Sequence, residues 1–335
     1  MKQEAHFWKP VKDKKVQCQL CAHTCTITEG KTGICGVRKN ENGCLYTLIY
    51  GLCSSIAVDP IEKKPLYHFY PGSQVLSFGS VGCNFRCDHC QNYTISTMAP
   101  AEAHLREVSP KEAISLAKQS GCSGLSWTYN EPTIWHEYTF DTAKRAKQAG
   151  LYTVYVTNGY IQEEPLREIS PYLDAMNIDV KSFSESFYKT VCKAKLKPVL
   201  EACELAKQLG IHIELTYLVI PGLNDDLKEV KQFTQWISQS LGVETPVHFS
   251  RFHPDYQMTE VKMTPLETLT SCYTTAKEAG LLFVYVGNIP SNEYENTHCP
   301  HCNTVWVERH GFTAKVIGIQ DGKCTQCGTH APLHL

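Results

Sequence analysis

Gly82-Cys83-Asn84-Phe85-Arg86-Cys87-Asp88-His89-Cys90-Gln91-Asn92 follows directly on the β-rich run Val75-Leu76-Ser77-Phe78-Gly79, which places a C-x3-C-x2-C loop at the end of a strand. Three thiolates on one short loop can bind three irons of a cubane cluster, whereas full protein ligation takes four cysteines, so one iron stays open to a substrate or cofactor. A zinc knuckle is the competing use of such cysteines, with His89 as the only near candidate for a fourth ligand. A disulfide is a weaker alternative. The chain opens Met1-Lys2-Gln3-Glu4-Ala5 without an apolar signal segment, and the expectation is a reduced, cytoplasmic protein.

Outward from this loop, residues 74–290 alternate short β-rich runs with amphipathic helical stretches, the pattern of repeated βα units on a parallel sheet. Strands are expected over 75–81, 124–128, 153–157, 175–180, 213–219 and 247–252, with 281–286 closing or extending the sheet. Helices beginning at Pro110 and near Asp141 should end at Gly121 and Gly150. The expected fold class is therefore α/β, a partial TIM-like (βα)6 barrel, in which chemistry gathers where strands end and βα loops begin. Residues 1–73 read as an N-terminal Cys-rich module with lead-in, and residues 291–335 as a C-terminal metal module.

At 335 residues and 42% hydrophobic, the chain can bury a large core with smaller additions. A net charge of -2 gives no support to a predominantly electrostatic nucleic-acid binder, and no apolar run approaches the ~20 residues of a membrane helix. Seventeen cysteines fall into three groups and six singletons. The singletons Cys44, Cys53, Cys122, Cys192, Cys203 and Cys272 read as small buried hydrophobes. Cys299-Pro300-His301-Cys302 and Cys324-Thr325-Gln326-Cys327 flank hairpin-like β runs and read as a zinc ribbon, with a rubredoxin-like iron as competitor. Cys18, Cys21, Cys25 and Cys35 offer four thiolates for zinc or an auxiliary iron–sulfur cluster, with structural zinc preferred for its Gly-rich turns.

The cysteine loop at this place resembles the radical S-adenosylmethionine (SAM) enzymes. That resemblance implies a [4Fe–4S] cluster at Cys83, Cys87 and Cys90 whose open iron chelates SAM, and reductive cleavage of SAM to a 5′-deoxyadenosyl radical. Tyr129-Asn130-Glu131-Pro132 stands where the family has Gly-Gly-Glu-Pro, which suggests Glu131 and Asn130 as SAM contacts. The two missing glycines put close backbone approach in question, and Asn130 could instead cap a helix. Asn158, Asp179, Lys181 and Ile220 at later strand ends are further cofactor candidates, with Ile220 expected on the adenine. His89 takes the place of the family's adenine-contacting aromatic. Arg251, His253 and Tyr256 are the expected substrate-side residues.

Asp59-Pro60-Ile61-Glu62-Lys63-Lys64-Pro65-Leu66-Tyr67-His68, Cys90-Gln91-Asn92 and Arg251-Phe252-His253-Pro254 make nearly the whole chain similar to the radical SAM member of the AmmeMemoRadiSam system, a relative of pyruvate formate-lyase activating enzymes. The resemblance implies an electron donor such as flavodoxin or ferredoxin, and association with the other proteins of that system. Two alternatives accompany the radical enzyme acting on an unidentified substrate. One is an activase of a partner glycyl-radical enzyme; the other is a non-catalytic metal-cluster scaffold or nucleic-acid adaptor.

Overall fold

The computed structural model describes residues 2–289 and 293–335, so the expected boundary between residues 290 and 291 lies outside the described residues. Eight strands form the central sheet: β1 (Ser55–Pro60), β2 (Gln74–Gly79), β3 (Gly124–Trp127), β4 (Tyr152–Thr157), β5 (Ala175–Asp179), β6 (His212–Val219), β7 (Val247–Arg251) and β8 (Val284–Gly287). They lie side by side in chain order. β1 and β2 pair antiparallel, and every later neighbouring pair is parallel. One main helix lies in each connection between the parallel strands: α1 (Pro110–Gln119), α2 (His136–Gln148), α3 (Glu163–Ile169), α4 (Lys197–Gln208), α5 (Leu227–Trp236) and α6 (Leu266–Glu278). This is the expected partial barrel of six βα units and a seventh parallel strand. None of the helices is long and apolar enough to cross a membrane, among the described residues.

Local chemistry sets the boundaries. α1 opens with Ser109 as cap, its hydroxyl accepting from the Glu112 amide, and with Pro110 in the first turn. α1 and α2 give way to Gly121 and Gly150, both at positive φ. β8 begins at Val284 rather than Leu281, because the Leu281 amide is still bonded to the Ala276 carbonyl at the end of α6. Of the six singleton cysteines five are buried in the core, and Cys44 is half-buried in the N-terminal sheet.

The terminal parts are small β structures that lean on the barrel. The N-terminal part pairs Trp8–Pro10, Val16–Cys18 and Thr26–Ile27 in one sheet and Gln3–Glu4, Arg38–Glu41 and Cys44–Thr47 in another, over a core of Val16, Leu20, Ile27 and Leu45. In the C-terminal part, Trp306 and Val307 join Tyr67 from the lead-in and Phe283 and Tyr285 beside and within β8. Arg309 bonds the Tyr67 carbonyl at 2.6 Å and the Thr297 hydroxyl at 2.8 Å, and its guanidinium lies over the Tyr67 ring.

Candidate active site

The C-terminal ends of the strands surround a cavity of about 890 Å³. Side chains alternate across a strand, so residues paired in register face the same way. Asp179 pairs with Thr216, Thr216 with His248, and Leu218 with Ser250, and all five line the cavity.

Cys83, Cys87 and Cys90 line the same cavity. Their loop is held from several sides. The Asn130 side chain accepts from the Ser80 amide and donates to the Gly82 carbonyl, both at 3.0 Å. The Asn158 side chain donates from Nδ2 to Asn84 Oδ1 at 2.8 Å and approaches the Cys83 sulfur at 3.8 Å, while the Phe85 backbone amide points at that sulfur from 3.3 Å. Burial, with Glu131 and Cys87 adding to it, pushes the Cys83 thiol far up, and burial also raises Cys90. Thiols so placed stay protonated until a metal group takes the proton's place. Three sulfurs on one loop at a cavity wall fit the cluster that such a loop implies.

Glu131 is fully buried and accepts from the Thr157 hydroxyl at 2.7 Å, the Asn158 amide at 2.8 Å and the Thr133 amide at 2.9 Å. Burial pushes its carboxyl up and these donors pull it down, with burial prevailing. Glu131, not Asn130, caps the short helix that follows, and Asn130 is occupied with the cysteine loop. Asp179 receives Lys181 at 2.9 Å. Burial works against the Lys181 ammonium, but Asp179 and neighbouring cysteines hold it well above the usual lysine value. His89 is buried on the cavity wall, and burial lowers it to about 3, so the ring is a neutral surface.

Tyr129 adopts φ of 72°, the left-handed conformation that a glycine would take there freely. Its hydroxyl donates to Asp59 at 2.6 Å, and the Lys64 ammonium lies 4.8 Å from its ring centre. Lys64 is buried, bonds Asp59 at 2.6 Å, and is pushed down by burial to about 8. Burial opposes the Asp59 charge, yet Lys63, Lys64 and Tyr129 together hold that carboxyl below the usual range. Glu62, Lys63, Lys64, Pro65 and Tyr67 all line the cavity, so the lead-in forms part of its wall. Sequence reasoning singled out this run without giving it a role.

Four candidates fall elsewhere. Ile220 is fully buried and absent from the cavity lining; its amide is tied to the Asn224 side chain, and Leu218 faces the cavity instead. Arg251, His253 and Tyr256 also lie off the lining. Arg251 donates to the Thr264 carbonyl, His253 is exposed with its Nε2 3.0 Å from the side chain of Gln91, itself a lining residue, and Tyr256 stacks on Tyr93 at 4.5 Å. The reason is strand parity: His248 and Ser250 point inward, so Arg251 does not. Behind His248 sits Glu214, fully buried, which accepts from His248 Nε2 at 2.7 Å, His212 Nε2 at 3.0 Å and the amides of Tyr67 at 3.0 Å and His68 at 2.7 Å. Burial opposes its charge, but His212 and His248 keep the carboxyl well below its ordinary value.

Of the terminal cysteine groups, Cys299, Cys302, Cys324 and Cys327 have all four sulfurs within 4.8 Å of one another, with Cys299–Cys327 and Cys302–Cys324 at 3.6 Å. A tetrahedral ion with Zn–S bonds of ~2.3 Å needs sulfurs about 3.8 Å apart, so this quartet fits one zinc. Cys18, Cys21, Cys25 and Cys35 gather beside the active-site loop, Cys18 and Cys35 buried and the other two half-buried.

Residues 78–234 match the radical SAM superfamily. An uncharacterized protein of Methanocaldococcus jannaschii, MJ0808, is 49% identical over 97% of each chain. The pyruvate formate-lyase-activating enzyme of Clostridium pasteurianum is 22% identical over 57% of this chain and 85% of its own. A radical SAM methyltransferase from Sphaerobacter thermophilus has the same fold at a TM-score of 0.50 and 13% identity, over 65% of this chain and 67% of that one. With a C-x3-C-x2-C loop on a partial barrel and these relatives, the chain belongs to the radical SAM superfamily and is an enzyme of the class that works with a [4Fe–4S] cluster and SAM.

Proposed function

We propose that Cys83, Cys87 and Cys90 hold the [4Fe–4S] cluster and that SAM lies in the 890 Å³ cavity they line, beside Glu131, Asn130, Asn158, Asp179, Lys181 and His89. The observation that carries this reading is the meeting of the three cysteines and those strand-end polar groups on one cavity wall. Bound together, cluster and SAM supply a 5′-deoxyadenosyl radical that takes a hydrogen atom from substrate.

The chain's own groups orient and shield. Glu131 fixes the Thr157–Asn158 strand end and offers a charged acceptor to an ammonium. The Lys181 ammonium, set by Asp179, suits a carboxylate, and the neutral His89 ring suits a base face. Asn130 and Asn158 hold the cysteine loop in place. Lys64, Tyr129 and His248 line the same cavity and are assigned to the substrate.

The C-terminal quartet is assigned structural zinc, and the division into residues 1–73, 74–290 and 291–335 separates the two metal modules from the barrel between them. A chain with seventeen cysteines is assigned to the cytoplasm, the compartment in which thiols are kept reduced. The sequence resemblance favours membership of the AmmeMemoRadiSam system and an electron donor such as flavodoxin or ferredoxin. The relatives named as activating enzymes favour a second reading, in which the abstracted hydrogen belongs to a glycine of a partner protein.

Anaerobic reconstitution and reduction with SAM, followed by chromatography, should yield 5′-deoxyadenosine in the wild type and none in Cys83→Ala. Equal product from the variant, or a reconstituted wild type with no cluster at Cys83, Cys87 and Cys90, contradicts the assignment.

A further inference from the structure

The N-terminal cysteine quartet does not stand apart from the active site. Three contacts in five residues join it to the loop of Cys83, Cys87 and Cys90. Gly82 has φ of 80° and lies so close to the quartet that an added Cβ would meet the Cys35 carbonyl oxygen at 2.6 Å. His23, between Cys21 and Cys25, donates from Nε2 to the Asn84 carbonyl at 2.7 Å. Arg86 donates to the Ile34 carbonyl, next to Cys35. The same knuckle bridges to the end of β4 through Cys21 and Ile161, and the His23 ring lies 4.9 Å from that of Tyr160.

Its sulfur spacing differs from that of the zinc-sized quartet at the other terminus. Among the described residues, two groups of metal-binding side chains have all their donor atoms within 4.8 Å of one another. Cys299, Cys302, Cys324 and Cys327 are one; the N-terminal quartet is not, and neither is the Cys83, Cys87, Cys90 loop. Neither the N-terminal cysteines nor the cluster-binding loop is drawn into the tight spacing of the C-terminal quartet, and four cysteines complete the ligand set of a cubane.

A buried cation faces this group. Arg38 is 1% exposed, lies close enough to Cys18, Cys35 and Cys21 for their charges to interact, and reaches Glu137 at 3.0 Å. Its Nε and Nη1 have no hydrogen-bond partner. Two buried donors of a guanidinium left free near Cys18, Cys21 and Cys35 suit an anionic sulfur-rich group, since hydrogen bonds to the sulfurs help set a cluster's potential.

We propose that Cys18, Cys21, Cys25 and Cys35 hold a second [4Fe–4S] cluster, with Arg38 as its buried counter-charge, which relays electrons through the His23–Asn84 contact to the cluster at Cys83, Cys87 and Cys90. This rests on the reading of that loop as the SAM cluster site. Each relay step moves one electron: the N-terminal cluster is oxidised as the SAM-site cluster is reduced, and an external one-electron carrier of the ferredoxin or flavodoxin class restores the first.

The test is a metal count on anaerobically reconstituted full-length protein, with a Cys21→Ala/Cys25→Ala variant and a Cys83→Ala/Cys87→Ala/Cys90→Ala variant. The wild type should carry about eight irons, about eight sulfides and one zinc, and each variant about four of each with the zinc unchanged. A wild type with about four irons and two zincs overturns the proposal, whether or not either variant folds. Reduced wild type should show an electron paramagnetic resonance signal broadened by the neighbouring spin, and either variant should lose that broadening; two unbroadened signals would refute the relay. A failure of the underlying reading looks different: the N-terminal variant would keep a cluster whose spectrum SAM does not alter.

Discussion

Replacing Glu214 by Gln should release the lead-in from the barrel. Oε1 accepts from the His68 amide and His212, and Oε2 from the Tyr67 amide and His248. Whichever way the new side-chain amide turns, its NH2 faces one backbone N–H and one imidazole. An imidazole can present its lone pair instead, but a backbone N–H cannot. One buried donor is left unsatisfied at about 1–3 kcal/mol, which is roughly five- to 150-fold faster local hydrogen exchange. Exchange measured on peptides containing Tyr67 and His68 reads this directly. In the wild type the Glu214 carboxyl lies well below its ordinary value, so its hold is complete above the unfolded carboxyl range, about pH 4.3, and is lost as pH falls further through the folded value. The Gln variant should lack that acid-dependent step. Unchanged exchange at Tyr67 and His68, or the same acid step in both proteins, would refute the reasoning.

His253→Ala should leave SAM affinity unchanged, because the ring is exposed and reaches the cavity only through Gln91, whereas His248→Ala opens the wall and removes one donor from Glu214; equilibrium binding of SAM to both variants tests the contrast. Asn130→Ala leaves the Ser80 amide and Gly82 carbonyl without their partner and should speed iron loss from the reconstituted protein to a chelator, followed by absorbance. Cys302→Ser should remove one zinc and loosen the sheet of Val305–His310, seen as lost zinc in elemental analysis and faster exchange there, with the barrel amides unaffected.

The barrel was legible because its strands are buried on both faces and so stand out as β-rich runs between amphipathic helices, with glycines marking α1 and α2 ends. The cysteine groups were legible from spacing alone. Harder were the residues just past strand ends. At Arg251-Phe252-His253 the chain leaves the sheet, and the inward parity is fixed by the pairing of Thr216 with His248, which no local pattern records. Ile220 fails for a related reason: beyond Val219 the chain turns, and Asn224 folds back to bond its amide. The role of residues 59–68 was hidden because their partner, Glu214, is nearly 150 positions away.

Tyr129 shows how the chain tolerates the loss of the glycine its relatives suggest. A non-glycine residue at φ of 72° costs about 1–2 kcal/mol. The hydroxyl bond to a charged Asp59 at 2.6 Å returns about 1.5 kcal/mol, taking the lower end for a half-buried group. The two nearly cancel, which gives an order that can be measured. Tyr129→Phe keeps the strained backbone and loses the bond, so it should be destabilised by about 1.5 kcal/mol. Tyr129→Gly loses the bond but also the strain, and should be no less stable than the Phe variant. Thermal melts of both cluster-free proteins decide it: if Phe matches wild type while Gly falls well below, the ring, not its bond to Asp59, is what holds the residue in its left-handed turn.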